Sequence, residues 1–239
     1  MSFVAEPTSA ATDALLAAAS AAGIAALVRG TPPSLLRAYW IVALAGWGLS
    51  ALLGAATHGL DLDPGVETLL WQPLYIGLGA AQALLVVAAV AAWRGETSAQ
   101  RLLPFMLAAA AVFYWATWRT GGDFLVFVVF STATTVFALG VHAALARAKR
   151  PGAGWVAAGL GVSLAAGLVQ ASALSLHVVW GFDHNGLFHV VQLAGLAILI
   201  PGLRRLLATP AGGAGYGRRR WTETPCDGRS WACTTSQPP

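Results

Sequence analysis

The chain has 239 residues, 57% hydrophobic and only 10% charged, with a mean hydropathy of +0.66. A water-soluble domain carries about 25% charged residues, so this composition excludes a soluble globular enzyme and places the chain in a membrane. The net charge of +4 is read by its distribution rather than its sum, and nucleic acid is not an expected partner.

A spanning helix needs about 20 apolar residues. Apolar runs bounded by charge or Pro/Gly clusters predict seven of them, at residues 12–29, 36–58, 68–93, 102–118, 124–146, 155–179 and 185–207. The first run ends at Arg29 before Thr31-Pro32-Pro33, and the third follows the acidic loop Asp61-Leu62-Asp63-Pro64. Residues 1–11 hold no Lys or Arg and so lack the basic start of a cleavable signal; the first run is read as a retained helix. The chain is thus expected to be an all-α, multi-pass protein of the cytoplasmic membrane, with a seven-helix domain over residues 1–207. Residues 208–239, rich in Gly, Arg, Pro and Thr, form a polar tail with too little apolar surface to order itself. Its cysteines, Cys226 and Cys233, are too few and too loosely spaced for a metal site.

All of the 14 Lys and Arg residues except Arg119 fall in the odd-numbered loops or the tail. The positive-inside rule then puts the N-terminus outside and the C-terminus inside, which an odd number of spans requires. The outer face collects Glu6, Asp13, Asp61, Asp63, Glu67, Asp123 and Asp183 with His58, His177, His184 and His189. Carboxylates are tolerated on outer loops, so the histidines are the sharper signal. His142, near the inner end of the fifth run, is read as an interfacial residue, and His177 as a loop residue.

Several seven-helix functions are excluded on chemistry. A retinal protein needs a lysine in its last helix, and the only lysine, Lys149, is in a loop. A proton or ion transporter usually keeps an ionisable residue near mid-membrane. Here the groups at depth are neutral: Ser50, Gln82, Thr134, Thr135, Ser163, Gln170 and Gln192. A two-haem relay needs histidine pairs at both surfaces, whereas a single outer haem stays open.

His58 ends the second run, and His184 and His189 open the seventh. All three belong to one membrane face, where they converge if the two helices are neighbours. Asn185 and His189, four apart, share a helical face. Catalytic zinc takes three protein ligands and a water, so His58, His184 and His189 are the candidate ligands, with Asn185 or Asp61 as supporting or substitute groups. A zinc-bound water has a pKa near 7 and attacks a carbonyl. Asp13, Glu67 and Asp183 lie closest to helix ends and are the candidate carboxylates to orient the imidazoles or accept the proton. The plainer account stays open at each position: histidines at a membrane interface, Asp183 or Asn185 as helix caps, and Glu6 to Asp13 as an acidic, Pro-initiated helix start.

The pattern resembles the superfamily of seven-helix membrane hydrolases that includes the alkaline ceramidases and the progestin and adipoQ receptors. His58 falls at its second-helix histidine, and His189, within Leu187-Phe188-His189-Val190, at the second histidine of its seventh-helix pair. Asn185 occupies the place of the first, His184 lies one residue early, and Gly54 stands where a serine is expected. The sequence is also similar to uncharacterised bacterial seven-helix proteins related to that superfamily, through Glu6-Pro7-Thr8, Thr12-Asp13 and the run from Asp183 to Gln192. The resemblance implies a zinc-dependent hydrolase acting on an amide or ester bond of a membrane lipid. The alternative is a non-enzymatic sensor or ligand-binding member. The oligomeric state is not legible.

Overall fold

The computed structural model describes residues 6–172, 175–177 and 181–208. Seven helices dominate them: α1 Pro7–Gly30, α2 Leu35–Gly59, α3 Pro64–Arg94, α4 Glu96–Arg119, α5 Phe124–Arg147, α6 Ala153–Gln170 and α7 His184–Ala208. Each is long and apolar enough to cross a membrane. The tail, with Cys226, Cys233 and the expectation that it is disordered, lies outside the described residues.

Local chemistry fixes the helix starts. Pro7 and Pro64 occupy first-turn positions, where a missing N–H costs nothing. The Asp63, Asp123 and Ser34 side chains accept backbone N–H groups of α3, α5 and α2. Because Pro7 rather than Thr12 opens α1, that helix begins more than a turn earlier than its hydropathy indicates. The sixth helix departs the other way, ending at Gln170 rather than near residue 179. Its 18 residues rise about 27 Å, enough for a bilayer core of about 30 Å. A short hairpin follows, with Leu176–His177 paired antiparallel to Gly181–Phe182, so His177 is a strand residue rather than a loop residue.

The helices pack as a ring, α1–α2–α3–α5–α6–α7 and back to α1, with α4 outside against α3 and α5. Burial follows this order: 78% of the most apolar window of α3 is buried, against 11% for α4. Small residues allow the closest crossings. A Cβ on Gly46 would lie 2.7 Å from the Gly77 carbonyl oxygen of α3, and one on Gly159 would lie 2.8 Å from that of Gly195 in α7. Ser50, one of the neutral groups at depth, ties α2 to α3 by donating to the Leu74 carbonyl at 2.9 Å. Leu15, Leu52, Phe105, Val112 and Leu168 face outward, as a lipid-facing surface requires. Trp93, Trp115, Trp118 and Trp155 are half-exposed near helix ends, the usual depth of interfacial aromatic rings.

His142 is a correction. It is fully buried rather than interfacial: its Nδ1–H donates to the Ala138 carbonyl at 2.9 Å, and its ring meets Trp40 edge-on.

Candidate functional site

Alternating helix direction brings the start of α1, the end of α2 and the start of α7 to one end of the bundle. α1 packs against both α2 and α7, so its first two turns lie between the helices that carry His58 and His189. Glu6 and Asp13 are seven residues apart and share a face of α1. Glu6, just before α1, meets His58, and Asp13, buried in the second turn, meets His189.

The hydrogens at these contacts can be assigned. Glu6 Oε2 lies 2.9 Å from His58 Nδ1, an ordinary charge-assisted hydrogen bond in which Nδ1–H donates. Asn185 Nδ2 then donates to His58 Nε2 at 3.4 Å, and the Glu6 backbone N–H donates to the His58 carbonyl at 2.9 Å. Thr12 Oγ1 gives its hydrogen to the Thr8 and Ser9 carbonyls at 2.8 and 3.0 Å. It therefore accepts from His189 Nδ1–H at 3.1 Å. His189 Nε2 is left with a lone pair facing Asp13 Oδ1 at 3.3 Å. A lone pair and a carboxylate oxygen at that distance repel unless a proton or a cation lies between them.

Space for Asp13 comes from Gly54. A Cβ there would lie 2.7 Å from Asp13 Oδ2. The position that the resemblance assigns to a serine therefore faces a carboxylate from α1.

Both pairs line a cavity of about 750 Å³ inside the helical ring. On α7 it runs from His184 to Leu199, about 22 Å at 1.5 Å per residue. Its mouth carries the imidazoles, the carboxylates and Trp71, which meets His58 edge-on and stacks on Tyr75. Leu85, Leu160, Leu196 and Leu199 lie at its deep end.

Of the sequence candidates, His58, His189, Asn185 and Asp13 come together. Asp183 lines the mouth and caps α7, its Oδ1 accepting the Gly186 N–H at 2.8 Å. His184 also lines the mouth, with its side chain exposed. Glu67 stands a step away, accepting the Trp71 indole N–H at 3.3 Å. Asp61 is exposed and outside the cavity lining. Thr12 and Gly54 had no catalytic signature in the sequence; only the seven-residue spacing of Glu6 and Asp13 hinted that the intervening turn faces the site.

Among the described residues, no three His, Cys, Asp or Glu side chains converge as a metal-holding group. Asn185 adds a different donor. Neighbouring ligands on a tetrahedral zinc with bonds of about 2.0–2.1 Å stand about 3.3–3.4 Å apart, which matches the 3.4 Å between the Asn185 amide and His58 Nε2. Each histidine has its Nδ1 held by the protein, the arrangement that fixes Nε2 as the ligating atom. His58 and His189 thus keep Nε2 as their free donor atoms, with the Asn185 amide beside the first, and these are donor types that zinc accepts.

The sequence matches the model of a family of unknown function (DUF6962) over residues 8–208. No curated protein and no solved structure matches.

Proposed function

The chain belongs to this family of unknown function, DUF6962, and on that footing we propose that it is a multi-pass membrane hydrolase cleaving an amide or ester bond of a lipid. The observation that carries the reading is the cavity of about 750 Å³ with two imidazole–carboxylate pairs at its mouth and leucines at its deep end. That volume is typical of sites that enclose a small molecule. The gradient suits an amphiphile with its scissile bond at the mouth and its chain within the ring. The concentration of Lys and Arg at the opposite end of the helices supports a mouth on the outer side of the membrane.

In this reading His58 and His189 would hold zinc, with Asn185 as the third donor. His184 stays at the rim. When bound, zinc would supply an acidified water and Lewis-acid polarisation of the carbonyl. The chain does the rest. Glu6 and Thr12 fix the imidazoles through Nδ1. Asp13 Oδ1 takes the proton of the attacking water and returns it to the leaving nitrogen or oxygen as the acyl carbon–heteroatom bond breaks. The acyl group departs as a carboxylic acid. Trp71 and Tyr75 form an aromatic wall at the mouth.

Metal content and turnover of the purified chain in lipid nanodiscs test this together. One equivalent of zinc, lost in His58→Ala and His189→Ala, with hydrolysis of N-acyl or ester lipids, is the expected result. Absence of zinc and of product from the wild type overturns it. Ligand binding without turnover is the second reading. It is favoured by the lack of three converging His, Cys, Asp or Glu donors among the described residues, and saturable lipid binding that survives loss of both histidines would select it.

A further inference from the structure

A buried amide interrupts the apolar half of the cavity. On α3 the lining passes from Leu78 through Gln82 to Leu85, and the Gln82 side chain is buried. Gln82 Oε1 lies 2.8 Å from Thr134 Oγ1 of α5. Two oxygens that close need a hydrogen between them, and an amide oxygen has none to give, so the Thr134 hydroxyl donates. That bond ties α3 to α5 through the amide oxygen alone. The amide nitrogen keeps two N–H donors. It has no acceptor among the described residues and is not enclosed by protein, so it faces the cavity that Gln82 lines. Thr135, the deepest residue of α5 in the lining, is buried beside Thr134. Trp71, edge-on to His58, marks the mouth, and Gln82 lies eleven residues farther along α3, about 16 Å. An extended carbon chain advances about 1.25 Å per atom, from bonds of about 1.5 Å at about 111°, and so reaches Gln82 after about 13 carbons.

We propose that Gln82 and Thr135 form a subsite for a neutral oxygen, keto or hydroxyl, on the chain of the bound amphiphile, about 13 carbons from its head. A plain hydrocarbon at this level would take water from the amide N–H groups and offer no acceptor in return, whereas a carbonyl or hydroxyl oxygen accepts from them. A carboxylate would accept as well, but no Lys or Arg among the described residues lines the cavity, and an unpaired charge at this depth is costly. The leucines around the subsite receive the rest of the chain. The class of ligand is therefore a single chain oxygenated far from its head. This inference rests on reading the cavity as a lipid site and does not depend on hydrolysis at the mouth.

The test is saturation binding of tritiated 1-O-tetradecylglycerol ethers, which the proposed chemistry cannot cleave, to the full chain in phosphatidylcholine nanodiscs. The alkyl chain is unsubstituted, carries a keto group at carbon 7 or at carbon 13, or ends in a carboxylate. The 13-keto ether is expected to bind about fivefold tighter than the plain and 7-keto ethers, the effect of one neutral hydrogen bond, and the carboxylate weakest. Gln82→Leu should erase that preference while the plain ether binds at least as tightly. Thr134 can then give its hydrogen to the Phe130 carbonyl, 2.9 Å away, so thermal midpoint and elution volume should hold. Gln82→Met, closer in length to the native side chain, should behave alike. Equal affinity for the 13-keto and plain ethers, a 7-keto ether as tight as the 13-keto, tightest binding of the carboxylate, or a preference that survives both substitutions overturns the subsite alone. Absence of saturable binding by every ether overturns the lipid-site reading with it.

Discussion

Thr12 gives its hydroxyl hydrogen to its own helix, so the hydrogen it shares with His189 comes from Nδ1, and Nε2 faces the Asp13 carboxylate with a lone pair. An amide at position 13 would remove that conflict, because Asn Nδ2–H can donate to Nε2 with no added proton or cation. Asp13→Asn is therefore expected to leave the thermal midpoint unchanged or raised, while lipid turnover falls at least about 100-fold, the scale of a lost general base. A stable variant with full turnover would remove Asp13 from the chemistry. Thr12→Val acts oppositely: it strands the His189 N–H, and thermal unfolding should show a loss of about 1–3 kcal/mol. The histidines were legible in the sequence because they gather on one membrane face without a compositional reason to do so. Asp13 was less so. With the helix start read at residue 12 it looked like a dipole-favouring first-turn residue, whereas Pro7 opens the helix and carries Asp13 to a buried, inward-facing position.

α1 is the element that makes one site from two distant helix ends. It carries the partners of both histidines, and its distance from α2 is set where Gly54 receives the Asp13 carboxylate. Gly54→Ser would place a Cβ 2.7 Å from Asp13 Oδ2, so the carboxylate or the whole helix must move. Overpacking of this kind costs about 1–3 kcal/mol. The expected result is a lowered thermal midpoint together with reduced turnover, measured on one preparation; restored activity would instead support the serine that the resemblance assigns to this place. Gly46 acts farther along α2, where a side chain would meet the Gly77 carbonyl and separate α2 from α3. Gly46→Leu should destabilise the bundle by a similar amount, read by the same melting measurement. The number and order of helices were readable from apolar runs alone, because every span must satisfy its backbone hydrogen bonds internally. The end of α6 was not. Ala171 to Val179 stays apolar enough to continue a helix by hydropathy, so the apolar run alone does not mark the stop at Gln170.

At the scale of the whole molecule, a ring of six helices encloses a cavity that is polar at one end and apolar at the other, and α4 adds no lining residue. The membrane gives the two ends their meaning. The mouth adjoins Asp61, Asp63, Glu67, Asp123 and Asp183, while Arg29, Arg37, Arg94, Arg101, Lys149, Arg204 and Arg205 lie at the opposite helix ends. Translocation is biased by Lys and Arg in short loops and little by carboxylates, so the orientation we propose puts the basic end in the cytoplasm and the mouth outward. Single cysteines decide this in a background with Cys226→Ser and Cys233→Ser. Asp61→Cys should react with a membrane-impermeant maleimide in intact cells, and Lys149→Cys only after permeabilisation. The reverse pattern would turn the bundle over and point the cavity at the cytoplasmic leaflet. The chemistry proposed for its mouth would then act on lipids of that leaflet, with the same residues in the same roles.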